Sequence, residues 1–147
     1  MIRPRFEKLE ADKKQRLMEA AMREFGSKPF EVASINRILD EAGFSKGSFY
    51  YYFDDKADLA FATLAHAASA LGDLSQLKLP ESPADFWAEL RDVSMGQIRE
   101  LERNRLQLDV VTHLGAAMAH NPDFAARVMP FFTPRRQRMI EFFEHGV

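Results

Sequence analysis

A glycine set between two short helical patterns constrains this chain more than any other feature. In the stretch from Ser34 to Lys56, SINRILDEAGFSKGSFYYYFDDK, residues Ile35, Ile38, Leu39 and Ala42 recur at i, i+3, i+4 and i+7. That spacing is the buried stripe of one helix, and Ser34 stands before it as an N-cap. Gly43 ends the helix, because only glycine takes the left-handed conformation without steric cost, and Phe44 plugs the junction from inside. A second helix restarts at Ser45. Its Phe49 and Phe53, four apart, point inward, which spreads Lys46, Gly47, Ser48, Tyr50 and Tyr52 over the outer surface. Two short helices meeting at a tight turn make a helix-turn-helix.

Three consecutive tyrosines, Tyr50 to Tyr52, cannot all be core, since successive helical residues differ in direction by about 100°. The spacing assigns Tyr51 to a neighbouring helix and turns Tyr50 and Tyr52 outward. A phenol donates to phosphate and lays its ring on sugar or a thymine methyl, and Lys46 and Ser48 suit phosphate and base edges. This is the surface of a recognition helix.

Nothing else in the chain competes with that reading. The 147 residues hold 46% hydrophobic and 29% charged side chains, enough for a core and too apolar for disorder. No uninterrupted apolar run reaches 18 residues and no apolar signal core follows the N-terminus, so neither a membrane span nor a secretory leader is expected and the protein is placed in the cytoplasm. Without cysteine there is no thiolate or disulfide chemistry. The net charge of −2 argues against unselective coating of nucleic acid. It is unevenly spread: residues 1–56 carry 11 basic against 10 acidic side chains. Arg3, Arg5, Lys8, Lys13, Lys14 and Arg16 crowd the entry as a DNA-reaching arm or first turn, or as a solvated helix end.

Along the chain every segment reads helical. A first helix starts near Asp12, buries Leu17, Met18, Ala21, Met22 and Phe25, and stops at Gly26. Phe30, Val32 and Ile35 close a small core with Leu39, Phe44, Phe49 and Phe53. Asp54 and Asp55 cap an alanine-rich connecting helix, which Gly72 bends or ends, and Lys56 at its N-terminus makes a phosphate site. Leu77 to Pro83 is a linker. Phe86 to Leu101 and Leu106 to His120 form two helices expected to pack antiparallel. Phe124 to Met129 is a short helix, and Pro130 and Pro134 flank Phe131-Phe132 before a last helix.

The head resembles the TetR family of bacterial transcriptional repressors over roughly residues 12 to 65. The resemblance rests on Phe25-Gly26, Ile35, Ile38, the run Ala42-Gly43-Phe44-Ser45-Lys46-Gly47, then Ser48, Phe49, Tyr50, Tyr52, Phe53 and Lys56, with Tyr52 where the family often has histidine. It implies an all-α fold: a three-helix DNA-binding head, residues 1–55, joined by a connecting helix to a helical ligand-binding and dimerisation region, residues 56–147. The implied DNA-contacting set is Ser34, Asn36, Arg37, Ser45, Lys46, Gly47, Ser48, Tyr50, Tyr51, Tyr52 and Lys56. The implied partners are double-stranded operator DNA, a second copy of the chain, and a small apolar or amphipathic inducer that lowers DNA affinity. Phe86, Trp87, Leu90, Met95, His113, Met118 and Phe124 are candidates to line the inducer cavity, although such stripes are also ordinary core filling. The family's usual two last helices are missing from the pattern, which suggests a truncated form or another dimer surface.

An enzyme is the first rival. His66, His113, His120 and His145 are scattered with no metal-ligand spacing, and Asp40-Glu41 and Asp54-Asp55 sit where helix caps belong, so no catalysis, cofactor or metal is expected. A protein-interaction module that kept the head and lost DNA binding is the second.

Overall fold

The computed structural model describes residues 2–71 and 78–146, and among them there are seven α-helices, one 3-10 turn and no strand. The chain enters through the 3-10 turn Pro4–Lys8, then α1 (Ala11–Ser27), α2 (Ile35–Ala42), α3 (Lys46–Tyr52), α4 (Lys56–Ala70), α5 (Pro83–Arg103), α6 (Arg105–Met118) and α7 (Pro122–Gly146). Short polar side chains start five of the seven, α2 to α5 and α7. Ser34 Oγ accepts from Arg37 N, Ser45 Oγ from Ser48 N at 3.1 Å, Asp55 Oδ1 from Asp58 N at 2.9 Å, Ser82 Oγ from Asp85 N, and Asn121 Oδ1 from Phe124 N. Each satisfies an amide that the first turn leaves without a helical partner.

Gly43 ends α2 at φ 73°, with its own N–H on Asp40 O and the N–H of Phe44 on Leu39 O at 2.9 Å. That is a Schellman ending. No atom lies within 4 Å of where a Cβ would stand, so Gly43→Ala meets only the backbone strain of a left-handed L-residue, about 1–2 kcal/mol. A melting temperature lowered by about 2–4 °C per kcal/mol is the expected reading for a chain of this size.

One buried cluster runs from Phe6 through the head to α4, α6 and α7. Phe25, Phe49, Phe53, Leu59, Leu64, Val110, Leu114, Phe124 and Val128 are all at or near zero exposure. A second, smaller cluster packs Phe86 of α5 on Phe142 of α7, with ring centroids 5.2 Å apart and Leu79, Leu90 and Val93 around them.

Several elements depart from the expectation. α1 does not stop at Gly26; it runs through to Ser27, and Gly26 is there because α6 comes close, a Cβ falling 2.9 Å from Leu106 Cδ1 and 3.3 Å from Val110 Cγ2. The glycine is a contact point, not a terminator. α6 packs mainly on α1 and α4, so the antiparallel pairing with α5 is not its main contact. Val32 is 65% exposed and outside the head core, while Phe6, from the basic entry, is inside it. Residues 122–146 form a single helix through both prolines. Pro130 and Pro134 lie four apart and are exposed, as is Ala126, and the carbonyls that lose their donors belong to the exposed residues Ala126 and Pro130, while Phe124 and Val128 are buried. The expected bend at Gly72 and the start of the linker at Leu77 fall outside the described residues.

Candidate nucleic-acid interface

The α3 helix is held from below by Phe49 and Phe53, whose rings stack at 5.5 Å, and by Phe6, whose ring lies 4.9 Å from that of Phe53. A pair of aromatic rings at this separation adds about 0.5–1.5 kcal/mol beyond area burial, so a seven-residue helix that could not stand alone is fixed on its support. Its other face is open: Lys46, Gly47 and Tyr50 are exposed and Ser48 is half-buried, its Oγ accepting from Ser45. Tyr50 is 56% exposed, its ring edge-on to Phe49.

Ser34, Asn36, Lys46, Tyr50 and Lys56 share one open depression whose floor is Ile35, Leu39 and Phe49. The start of α2 and the outer face of α3 are thus one surface. Arg37, in the same first turn of α2, is exposed, with its guanidinium 4.0 Å from the Glu24 carboxylate.

The tyrosines divide differently from the pattern. Tyr52, expected outward, is half-buried and edge-on to Phe6 at 6.3 Å, while Tyr51, expected to pack, is exposed with the Arg5 guanidinium 4.4 Å above its ring. The N-terminal segment decides this. Arg3 N donates to Tyr52 O, and its guanidinium to Asp54, so the entry docks on the end of α3. Lys13, Lys14 and Arg16 pair with Glu10, Glu7 and Asp12.

Lys56, expected to hold a phosphate, is engaged within the chain itself. Its ammonium donates to the carbonyls of Phe30 at 2.7 Å, Ala33 at 3.2 Å and Glu31 at 3.4 Å, above the Phe30 ring. Three donors are all an ammonium has. The side chain ties the α1–α2 connection to α4, and is occupied where a phosphate ligand was expected.

Glu24, not singled out by the pattern, fixes the start of α2 from beneath. Its carboxylate is buried, and burial alone raises a carboxyl pKa. That is outweighed by the hydrogen bond from Lys28 at 2.8 Å, the Ser34 N–H at 3.1 Å and the charges of Lys28 and Arg37, which leave it below the ordinary value. Glu24→Gln keeps an acceptor for Ser34 N and loses the charge-assisted bond, for an expected loss of about 1.5–3 kcal/mol at pH 7. A depressed folded-state pKa gives stability that is present above the unfolded value of about 4.3 and lost as pH falls through the folded one. Urea midpoints of the two proteins should therefore differ at pH 7 and converge as the pH falls through the lowered folded-state value.

At the α3–α4 junction, the Arg127 guanidinium from α7 holds Asp55 with two bonds, at 2.7 and 2.9 Å, and reaches Asp58 at 3.0 Å and Asp123 at 3.0 Å. These bonds keep the Asp55 carboxyl below the usual carboxylate range, against a partial burial that raises it, and raise Arg127 further above its already high value.

The seven residues expected at an inducer cavity are not brought together. Phe86 and Leu90 belong to the α5–α7 cluster, Trp87 is 66% exposed and Met95 is exposed. Met118 rests on the main core and Phe124 lies inside it. His113 Nδ1 lies 3.2 Å from Phe25 O and ties α6 to α1. A small cleft of about 170 Å³ does open between α5 and α7, lined by Leu90, Val93, Ser94, Gln97, Met139, Phe142 and Phe143. Pockets for drug-sized ligands run to about 300–1,000 Å³, so this one takes only a small body as it stands. No group of three or more metal-ligating side chains occurs among the described residues, nor does any helix there have the length and apolarity to cross a membrane.

Head, turn and outward-facing α3 together define a helix-turn-helix protein. The profile of bacterial regulatory proteins of the tetR family matches residues 17–63. The chain is 27% identical over 103 residues to the HTH-type transcriptional regulator AcrR of Shigella flexneri, covering 68% of this chain and 48% of that protein. It is 30% identical over 111 residues to the HTH-type transcriptional regulator BetI of Yersinia pestis (strain Pestoides F), covering 75% and 56%. A crystal structure of a TetR family transcriptional regulator from Chloroflexus aurantiacus J-10-FL superposes with a TM-score of 0.59 at 30% identity, over 75% of this chain and 51% of that one. The chain belongs to the TetR family of bacterial regulatory proteins. It spans about half the length of the curated relatives it matches, and those relatives are regulators, not enzymes.

Proposed function

We propose that this chain is a cytoplasmic DNA-binding transcriptional regulator, a repressor that reads a pseudo-palindromic operator as a homodimer and is released by a small apolar or amphipathic inducer. Residues 1–55 read DNA and residues 56–147 pair the chains and hold the inducer. The observation that carries this is the exposed face of α3: a lysine, a glycine, a serine and a tyrosine on a helix whose opposite side is fixed by three phenylalanines. Gly47 lets backbone approach a groove wall, Lys46 supplies charge, and Ser48 and Tyr50 supply hydroxyls for base edges and phosphates. Ser34, Asn36, Arg37 and Ser45 flank that face, and Tyr51 with Arg5 extends it toward the entry. Lys56 acts indirectly, by setting the loop before α2.

For pairing, α5 and α7 expose Ile98, Met139, Ile140 and Phe143, an apolar surface suited to a second copy. The cleft between the same helices is the place for the inducer, with Gln97 and Ser94 as its polar groups.

Selection of bound sequences from random DNA tests the reading. An inverted repeat with half-site centres about 34 Å apart, one helical turn, is expected. Recovery of no site, or of an asymmetric one, overturns the dimeric regulator.

A further inference from the structure

We propose that the first two turns of α7 are the joint through which the C-terminal helices set the geometry of the DNA-reading face, with Arg127 as its positioning residue. The proposal rests on the regulator reading above and adds to it the residues that carry the coupling.

Those turns touch the head at two places, and both flank the reading surface. Arg127 forks onto Asp55, the residue that caps α4, and also bonds Asp58, whose carboxylate is buried and accepts in turn from the backbone N–H of Asp54. One guanidinium therefore fixes the turn that carries the chain from α3 into α4. One turn earlier, Phe124 is fully buried and stacks on Phe30, with ring centroids 5.3 Å apart and planes 11° from parallel. Phe30 lies in the connection that leads into α2, and its carbonyl accepts from Lys56. Contacts at i and i+3 on one helix thus grip the entry to α2 and the exit from α3.

The chemistry makes this joint sensitive to position. Three carboxylates, Asp55, Asp58 and Asp123, converge on one cation. A bidentate guanidinium–carboxylate pair needs its planar fork in place, and a displacement of α7 that breaks it takes the guanidinium away from Asp55 and from the buried Asp58 together. The far end of α7 lines the α5–α7 cleft through Met139, Phe142 and Phe143, about 18 to 24 Å from Arg127 at 1.5 Å per residue. A molecule or a second chain that shifts that end acts on the fork through a continuous helix. Such a coupling changes DNA affinity by differential stabilisation of two arrangements, not by any contact between Arg127 and DNA.

The test uses the full chain, with Arg127→Met, which keeps most of the side-chain length, and Asp55→Asn, which keeps the helix cap and loses the charge. Binding to the DNA recovered by selection is measured against salt, and amide hydrogen exchange is followed across the chain. Arg127→Met is expected to weaken binding by on the order of tenfold with an unchanged salt slope, as a coupling of ordinary size does. Exchange should quicken at the Asp54 and Asp58 amides and at residues 30–34, and the double variant should bind no more weakly than Arg127→Met alone. A staple that only stabilises the fold would lower the melting temperature, quicken exchange throughout and leave binding at low temperature unchanged; that result overturns the proposal. If Arg127→Met does not fold, Arg127→Lys keeps the charge, loses the fork and carries the same comparison. If the unaltered chain binds no DNA, the regulator reading fails by itself; exchange then decides alone, local quickening at residues 30–34 keeping the joint and its absence removing it.

Discussion

Replacing Phe53 by alanine should remove about 3–5 kcal/mol of stability, the range for truncating a fully buried phenylalanine. Phe53 has no exposed surface, closes the end of α3, stacks on Phe49 and supports Phe6. A chain of this kind holds only about 5–15 kcal/mol in total, so the loss is a large fraction of the whole. The entry segment should detach with it, because Phe6 is the side chain that anchors it. Urea unfolding followed by far-ultraviolet circular dichroism measures the change. Trp87→Ala is the companion: with 66% of the residue exposed and only an edge-on contact with Phe86 at 5.1 Å to lose, its effect should stay within about 1.5 kcal/mol. Similar losses for the two substitutions would mean that Phe53 does not carry the head core.

The features legible in the sequence were those set within a few residues. Gly43 could be assigned because a left-handed turn has a local cause, and Ser34 and Asp55 because a cap bonds an amide three residues on. Phe49 and Phe53 followed from period alone. What failed depended on partners far along the chain. Tyr52 and Tyr51 exchange roles because an N-terminal segment some fifty residues away docks beside α3, and nothing in three identical residues states which one it will cover. A lone phenylalanine at position 6 among basic residues was the only available sign of that docking. Lys56 looked like a phosphate ligand because it opens a helix; the three carbonyls that occupy it lie 23 to 26 residues earlier.

Pairing of the later helices was hidden for a related reason. Periodicity reports that α5 and α6 have apolar faces, but not which helix each face meets. Gly26 held the missing information: its want of a side chain is what lets α6 approach α1, yet beside Phe25 it reads equally well as a stop. The prolines of α7 misled because the rule against proline inside a helix depends on whether the freed carbonyls can reach water, and exposure of the face at 130 and 134 is a tertiary fact.

The carbonyl contacts of Lys56 set up the sharpest test of the reading face. On the regulator hypothesis, Lys46 is exposed on α3 and free of the carbonyl contacts that engage Lys56, so Lys46→Ala should weaken operator binding and flatten the dependence of log affinity on log salt by about one unit, with stability unchanged. Tyr50→Ala should cost about 1–3 kcal/mol in specific binding, and Tyr50→Phe separates the hydroxyl from the ring. The pair Lys46→Ala/Tyr50→Ala, four apart on one face, should lose about a hundredfold or more. Lys56→Ala should behave differently. It strips the donor from three carbonyls of the loop before α2, so the melting temperature falls and binding weakens with it, while the salt slope stays where it was. Titrations of the three variants at several salt concentrations decide between the lysines. A slope change at Lys56 and none at Lys46 would show that the ammonium leaves its carbonyls when DNA arrives, and would return the phosphate to the start of α4.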